Sequence, residues 1–444
     1  MKNRELFLKD PKDIQLLNNG VAKVMDMRTD EELRTLRFEL ENFVCEGQYA
    51  KGMELILSTY LSNLDRPEQP AVWVSGFFGS GKSHLVKMLQ YFWQDFHFPN
   101  GVAARGLPTL PSSITDLLKE LSTEGKRKGG LHAAAGTLGA GASESVRLAL
   151  LSIIFRSADL PEEYPEACFV MWLKSNGIYD EVRSSVEAAK RDWNKELHHM
   201  YVSPVIADAL LKADASFASS PAEAKSLLKA QFPICKDVSN TEMTTAIQDA
   251  LSVDGELPCT LIVMDEVQQY IGENSDRSYL VQEVTEACCK TLGNRILFLG
   301  TGQSALTDTP YLQKLMDRFT VSVALSDADV ETVTRRMVLA KKPDKEQLIR
   351  DMLSTHSGEI SRHLLGTRVE QRTEDQDIIV ADYPLLPVRR RFWEKVLRAV
   401  DEAGTTAQLR TQLKIVYEAV RDSADAPLGT VIPGDYIYDQ VPTT

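Results

Sequence analysis

Gly76-Phe77-Phe78-Gly79-Ser80-Gly81-Lys82-Ser83 completes the pattern G-x-x-x-x-G-K-[ST], and its neighbours suit it. The apolar run Val72-Trp73-Val74 leads in as a buried strand, and Leu85 to Trp93 follows with helical apolar spacing. Strand, glycine turn and helix N-terminus together make a phosphate cradle. The turn lets successive backbone N–H groups face one concavity, and the helix dipole favours negative charge there. In this reading residues Gly76 to Ser83, with the adjoining His84, hold the nucleotide. Lys82 reaches the terminal phosphates and the Ser83 hydroxyl helps to hold Mg²⁺. The plainer alternative, a glycine-rich turn with a surface lysine, leaves the coincidence of glycines, lysine and hydroxyl unexplained.

A cradle of this kind needs an acidic element to complete its metal site. Leu261-Ile262-Val263-Met264-Asp265-Glu266 is an apolar strand ending in two carboxylates, and ligands gather at the carboxyl ends of buried parallel strands. Asp265 is expected to orient Mg²⁺, and Glu266 to polarise the attacking water, a pairing that suits hydrolysis better than transfer to an alcohol. Arg295-Ile296-Leu297-Phe298-Leu299-Gly300-Thr301-Gly302-Gln303 reads as a further buried strand. Its polar tip offers Thr301 or Gln303, with Thr301 preferred, to contact the γ-phosphate and water if this strand lies between the other two. Arg318 falls between a helix and a strand, Val321 to Leu325, with no acid beside it but Asp317. That is where an arginine finger serves a neighbouring subunit in AAA+ proteins; a helix-end arginine favourable for the dipole is the competing reading.

The 444 residues carry a formal charge of −13 and are 43% hydrophobic and 25% charged, an ordinary composition for a globular chain. The acidity argues against a broad polyanion-binding surface, while leaving room for a local basic site. No apolar run reaches membrane-spanning length and Met1-Lys2-Asn3-Arg4-Glu5 lacks a signal-peptide core. The six cysteines have no C-x-x-C spacing, so reduced thiols in a cytoplasmic protein are expected. Cys288-Cys289 read as packing residues of a helix, and His198-His199 lack a second ligand pair for a metal.

Residues 1–68 read as a helical segment leading into the core, broken by Asp65-Arg66-Pro67-Glu68-Gln69-Pro70. The core then spans 69–325. Lys82 and Asp265 lie too far apart for a minimal core, so a helical insertion is expected over about 145–250. Residues 326–444 are again helical and lid-like, with an irregular charged stretch from His356 to Asp377. Two basic runs stand out. Gly125-Lys126-Arg127-Lys128-Gly129-Gly130 reads as a loop that is either solvated or able to touch DNA or a ring pore. Arg389-Arg390-Arg391 opens a helix, its arginines exposed or aimed at phosphate.

Several stretches resemble one family, the large P-loop ATPase of BREX phage-defence systems (the BrxC/PglY family). They are Leu6-Phe7 to Asn18-Asn19-Gly20-Val21, the aromatic-rich loop Val72 to Leu85 with His84 after its serine, Tyr383-Pro384-Leu385-Leu386-Pro387, and Gln408 to Leu413. Family members are much longer, so the chain resembles their N-terminal ATPase portion. The resemblance implies an α/β fold with an AAA+-like P-loop NTPase core, a parallel sheet between helices, and a C-terminal helical subdomain. ATP and Mg²⁺ as cofactors are expected from the glycine loop and the Asp-Glu pair, and a homo-oligomer from the finger reading of Arg318; the resemblance implies a methyltransferase and other BREX proteins as partners in host-DNA methylation and phage restriction. DNA contact by this portion, direct or through partners, is left open. The resemblance places the chain among AAA+-like proteins. Within that class a lid arginine reaches the phosphates, a place for which Arg410, after Gly404-Thr405-Thr406, best fits. Three classes therefore compete: an energy-transducing ATPase, a nucleotide-gated switch with slow turnover, and a P-loop kinase, the last disfavoured by the Asp-Glu pair.

Overall fold

The computed structural model describes residues 1–13, 24, 27–77, 80–138, 145–400 and 409–440. Phe78 and Gly79 of the glycine-rich stretch, and most of the segment leading to Val21, lie outside the described residues.

Three apolar runs expected as strands form the middle of a parallel sheet. The strands are β1 (Val72–Ser75), β2 (Leu131–Thr137), β3 (Cys259–Asp265), β4 (Ile296–Gly302) and β5 (Val321–Ala324), ordered β2-β3-β4-β1-β5 and all parallel. Every residue of β1, β3 and β4 is buried. That burial explains why these strands read as continuous apolar runs rather than alternating ones: helices cover both faces. The pleat divides the side chains between two cores. Trp73, Ile262 and Phe298 enter one; Val72, Val74, Leu261, Val263 and Leu299 enter the other. The second core is closed by helices Asp30–Glu41, Gly47–Asn63, Lys82–Trp93 and Ser112–Arg127. Among the described residues, the first receives seven helices, from Val146–Ser157 to Asn240–Leu251, inserted between β2 and β3. Because β4 stands between β1 and β3, the glycine-rich loop, Thr301 and Asp265 share one end of the sheet.

Strand β2 has no counterpart in the sequence reading, which assigns no element to the small residues after Gly130. Ala133, Ala134, Ala135 and Gly136 have weak strand preference. They are small because a helix presses on them: a Cβ on Gly136 would lie 2.5 Å from Cγ1 of Ile153. The preceding basic run is likewise no free loop. Lys126 and Arg127 close the helix Ser112–Arg127, where cations suit the dipole, and Gly129 and Gly130 turn the chain into β2 with φ of 80° and 106°. This turn lies at the amino end of the strands, opposite the glycine-rich loop.

Residues from Asp327 onward build a helical lobe with cores of its own. Its polar centre is Asp382, fully buried, with Arg335 at 2.7 Å and Arg390 at 2.7 Å. Arg391 pairs with buried Asp375 at 2.5 Å, and an Arg389 guanidinium N–H donates to the Ile432 carbonyl. The triple arginine is therefore consumed inside the lobe, which corrects the expectation of exposed or phosphate-facing cations. The stretch 356–377, expected to be irregular, contains the short helix Ser357–Arg362.

The first residues of the chain pack into this lobe and not against the sheet. Leu6 joins Ile349, Val380 and Tyr383, while Phe7 joins Val338, Leu385 and Trp393. Buried Asn3 donates to the Thr430 carbonyl at 3.1 Å and accepts from the Tyr383 hydroxyl at 2.7 Å. Removing the charge at the centre of the lobe tests this picture. Asp382→Ala leaves buried Arg390 without its carboxylate, Arg335 keeping Glu331 at 2.6 Å, and should cost about 3–5 kcal/mol. Chemical denaturation followed by emission of the buried Trp393 reads it; an unchanged midpoint would show that the pair network contributes nothing.

Candidate nucleotide site

The glycine-rich turn joins the carboxyl end of β1 to the helix Lys82–Trp93, and the geometry explains the glycines at 76 and 81. Gly81 is the N-cap residue with φ of 87°, and a Cβ there would sit 2.1 Å from the Tyr49 hydroxyl. That hydroxyl donates to the Ser80 carbonyl at 2.5 Å. A Cβ on Gly76 would lie 2.5 Å from Oγ of Ser80, a hydroxyl that is itself buried with no hydrogen-bond partner among the described residues. Lys82 Nζ donates back to the carbonyls of Gly76 at 2.6 Å and Phe77 at 3.0 Å. Burial holds this ammonium down to about 8, against the pull of Asp265 and Glu266. Among the described residues no carboxylate lies within ion-pair distance of it. Ser83, in the first turn of the helix, is half-buried. The His84 ring stands edge-on to Phe43 at 5.5 Å, and burial keeps its imidazole below the ordinary value. His84 is thus a packing group against Phe43.

Across the same sheet end, one hydroxyl organises both acids. Thr301 donates to Oδ1 of Asp265 and accepts from the Glu266 backbone N–H at 3.0 Å. Asp265 is buried, only 3% exposed, and has no cation paired to it among the described residues. Glu266 occupies the left-handed region at φ 59°, ψ 29°, which a non-glycine residue adopts only when its surroundings impose it. Its carboxyl is raised above the usual range, first by burial and then by Asp265, with Lys82 opposing. Gln268, just beyond, accepts from the backbone N–H of Gln303 at 2.6 Å and of Ser304 at 2.9 Å. The Trp73 indole donates to the Ser304 carbonyl at 3.0 Å, and a Cβ on Gly302 would lie 2.2 Å from that ring. Of the two candidates at the tip of β4, Thr301 therefore meets the carboxylates, while the Gln303 side chain is exposed.

Of the two candidate arginines, one is placed away from this site and the side chain of the other lies outside the described residues. Arg318 pairs with Glu286 at 2.7 Å, and its carbonyl accepts from Ala71 N–H at 3.1 Å, before β1 begins. It lies at the amino end of the sheet. The absence of an acid beside Arg318 in sequence is corrected here, because its partner comes from the helix Ser275–Thr291. Arg410 stands in the helix Leu409–Asp422, and its side chain lies outside the described residues. Cys288 and Cys289 are buried packing groups whose thiols burial pushes up, Cys289 to about 12. His198 pairs with Glu166 at 3.0 Å, and the described residues hold no group of three or more His, Cys, Asp or Glu able to bind a metal.

The residues that sequence reading passes over are Tyr49, Gln268 and Trp73. None carries a local signal, because each acts on a loop far from it in the chain.

A polyphosphate with Mg²⁺ fits these observations. Among the described residues, the cradle has two positions that reject a Cβ, a helix N-terminus, an ammonium met by two carbonyls, and a buried carboxylate with no paired cation. No family model matches the chain.

Proposed function

We propose that this chain binds ATP with Mg²⁺ and hydrolyses it, on a P-loop core of the AAA+ type. The observation that carries the reading is the pairing of opposites across one sheet end: among the described residues, Lys82 is met by two carbonyls and no carboxylate, and buried Asp265 has no paired cation. The position of β4 between β1 and β3, with Thr301 at its tip, supports the AAA+ assignment.

In this proposal the loop N–H groups and Lys82 bind the phosphates, while Ser83 and Asp265 hold Mg²⁺. The metal, when bound, neutralises charge on the phosphates and so favours displacement at the γ-phosphorus. Glu266 takes the proton of the attacking water on its carboxylate. Its raised pKa makes it a stronger base than an ordinary glutamate. Thr301 fixes both acids with one hydroxyl, and Gln268 ties the segment after Glu266 to the segment after Thr301. Arg318, ion-paired within its own chain, lends no support to a shared site, so turnover is proposed without it. The resemblance to BREX ATPases supplies the proposed setting: ATP turnover drives assembly or remodelling of a DNA-modification complex with a methyltransferase partner.

Titration calorimetry with ATP and Mg²⁺, followed by a phosphate-release assay, tests the core of the proposal; no heat of binding would overturn it. Thr301→Val should lower turnover about 10–100-fold, the usual loss when a group orienting a metal-binding residue is removed. Turnover at the parent rate would show that the carboxylates hold their places without Thr301.

A further inference from the structure

We infer that Tyr49 is a positioning residue for the phosphate cradle, acting by fixing the direction of the Ser80–Gly81 peptide. The inference rests on the ATP reading above and adds a residue from the helix Gly47–Asn63, outside the glycine-rich motif.

In a trans peptide the carbonyl and the following N–H point in opposite directions. The Tyr49 hydroxyl donates to the Ser80 carbonyl at 2.5 Å, so the Gly81 N–H is turned away from the helix that carries Tyr49. Gly81, the N-cap residue, holds the left-handed conformation with φ of 87°. The space its Cβ would need is occupied by the tyrosine hydroxyl itself, 2.1 Å from that position. Glycine and tyrosine are thus a matched pair: the first makes room for the second, and the second holds the peptide that the first allows to rotate.

The hydroxyl is also aimed by packing. Tyr49 is 3% exposed, and its ring stands edge-on to Phe43 at 6.3 Å. Phe43 in turn packs on Phe92, in the helix that begins with Lys82, at 5.9 Å. The donor is therefore locked to the helix whose N-terminus it serves. A glycine loop without such an anchor loses conformational freedom on binding an anion. With the anchor in place, part of that ordering is complete beforehand, which favours binding.

The test compares the wild-type chain with Tyr49→Phe, which keeps the ring and removes the donor. Affinities for ATP–Mg²⁺ and for pyrophosphate are measured by calorimetry well below both melting midpoints, with KM and kcat alongside. Both affinities should fall by the same factor, about 3- to 10-fold, as expected for one neutral hydrogen bond. KM should rise while kcat stays within about twofold, the pattern of an interaction made equally before and during reaction. Unchanged affinities in Tyr49→Phe, beside a wild type that binds, would overturn the inference and leave the ATP reading standing, even if the melting midpoint dropped. A fall for ATP with none for pyrophosphate would also overturn it, because the contact would then not serve the phosphates. A wild type that binds neither ligand would overturn both.

Discussion

A Glu266→Gln protein should bind ATP as the wild type does and hydrolyse it at least about 100-fold more slowly, the typical loss when a positioned base is removed. The substitution is unusually clean here. Glu266 is held by its backbone N–H, which bonds to Thr301, and its left-handed conformation belongs to the main chain. Neither depends on the carboxylate. Glutamine therefore keeps the shape of the site while losing the proton acceptor that burial and Asp265 have strengthened. Single-turnover phosphate release measures the rate and calorimetry measures the binding. Hydrolysis at the parent rate would assign the water to another residue.

The second large effect concerns Lys82. Lys82→Ala should weaken ATP binding by about 100-fold, since a hydrogen bond from a charged donor contributes about 1.5–3 kcal/mol. The free protein holds this ammonium against two carbonyls and at a depressed pKa of about 8. Two pH dependences follow. Below about 8 the group is already charged, so affinity is flat. Above it, binding must first restore the proton, and affinity falls by about tenfold per unit until the lysine in the complex itself deprotonates. For the unliganded fold the sign is the reverse. Between about 8 and the ordinary 10.5 the unfolded chain binds more protons than the folded one, so stability rises with pH in that window. Wild-type affinity in Lys82→Ala, or a flat affinity profile across pH 8 to 10, would show that the loop is structural.

How much of this was readable in the chain depended on whether the signal was local. Val72–Val74, Leu261–Asp265 and Ile296–Gly302 announce themselves because buried parallel strands have no polar face, so the whole run is apolar. The glycine loop and the Asp265-Glu266 pair are legible because their chemistry fixes residue types at short spacing. Strand β2 was hidden by its own packing: small residues chosen for closeness to Ile153 look like a linker. The partners of charged and polar groups were hidden for a different reason. Arg318 meets Glu286, Arg390 meets Asp382, and Tyr49 meets Ser80, each across a fold the sequence does not display. Charge runs accordingly looked like surface where they are interior, as at Arg389 to Arg391.

The docking of the first residues into the last lobe has a consequence for how the protein is made. Asn3 and the Thr430 carbonyl that it contacts are 427 positions apart. At a synthesis rate of about 5–20 residues per second, the opening segment waits roughly 20–80 s for its partners to leave the ribosome. The sheet has all five strands by Ala324, well before that. Leu6 and Phe7, fully apolar and destined for burial, spend that interval without their cores. The lobe cannot be completed until both of these distant segments, 427 positions apart, have been made.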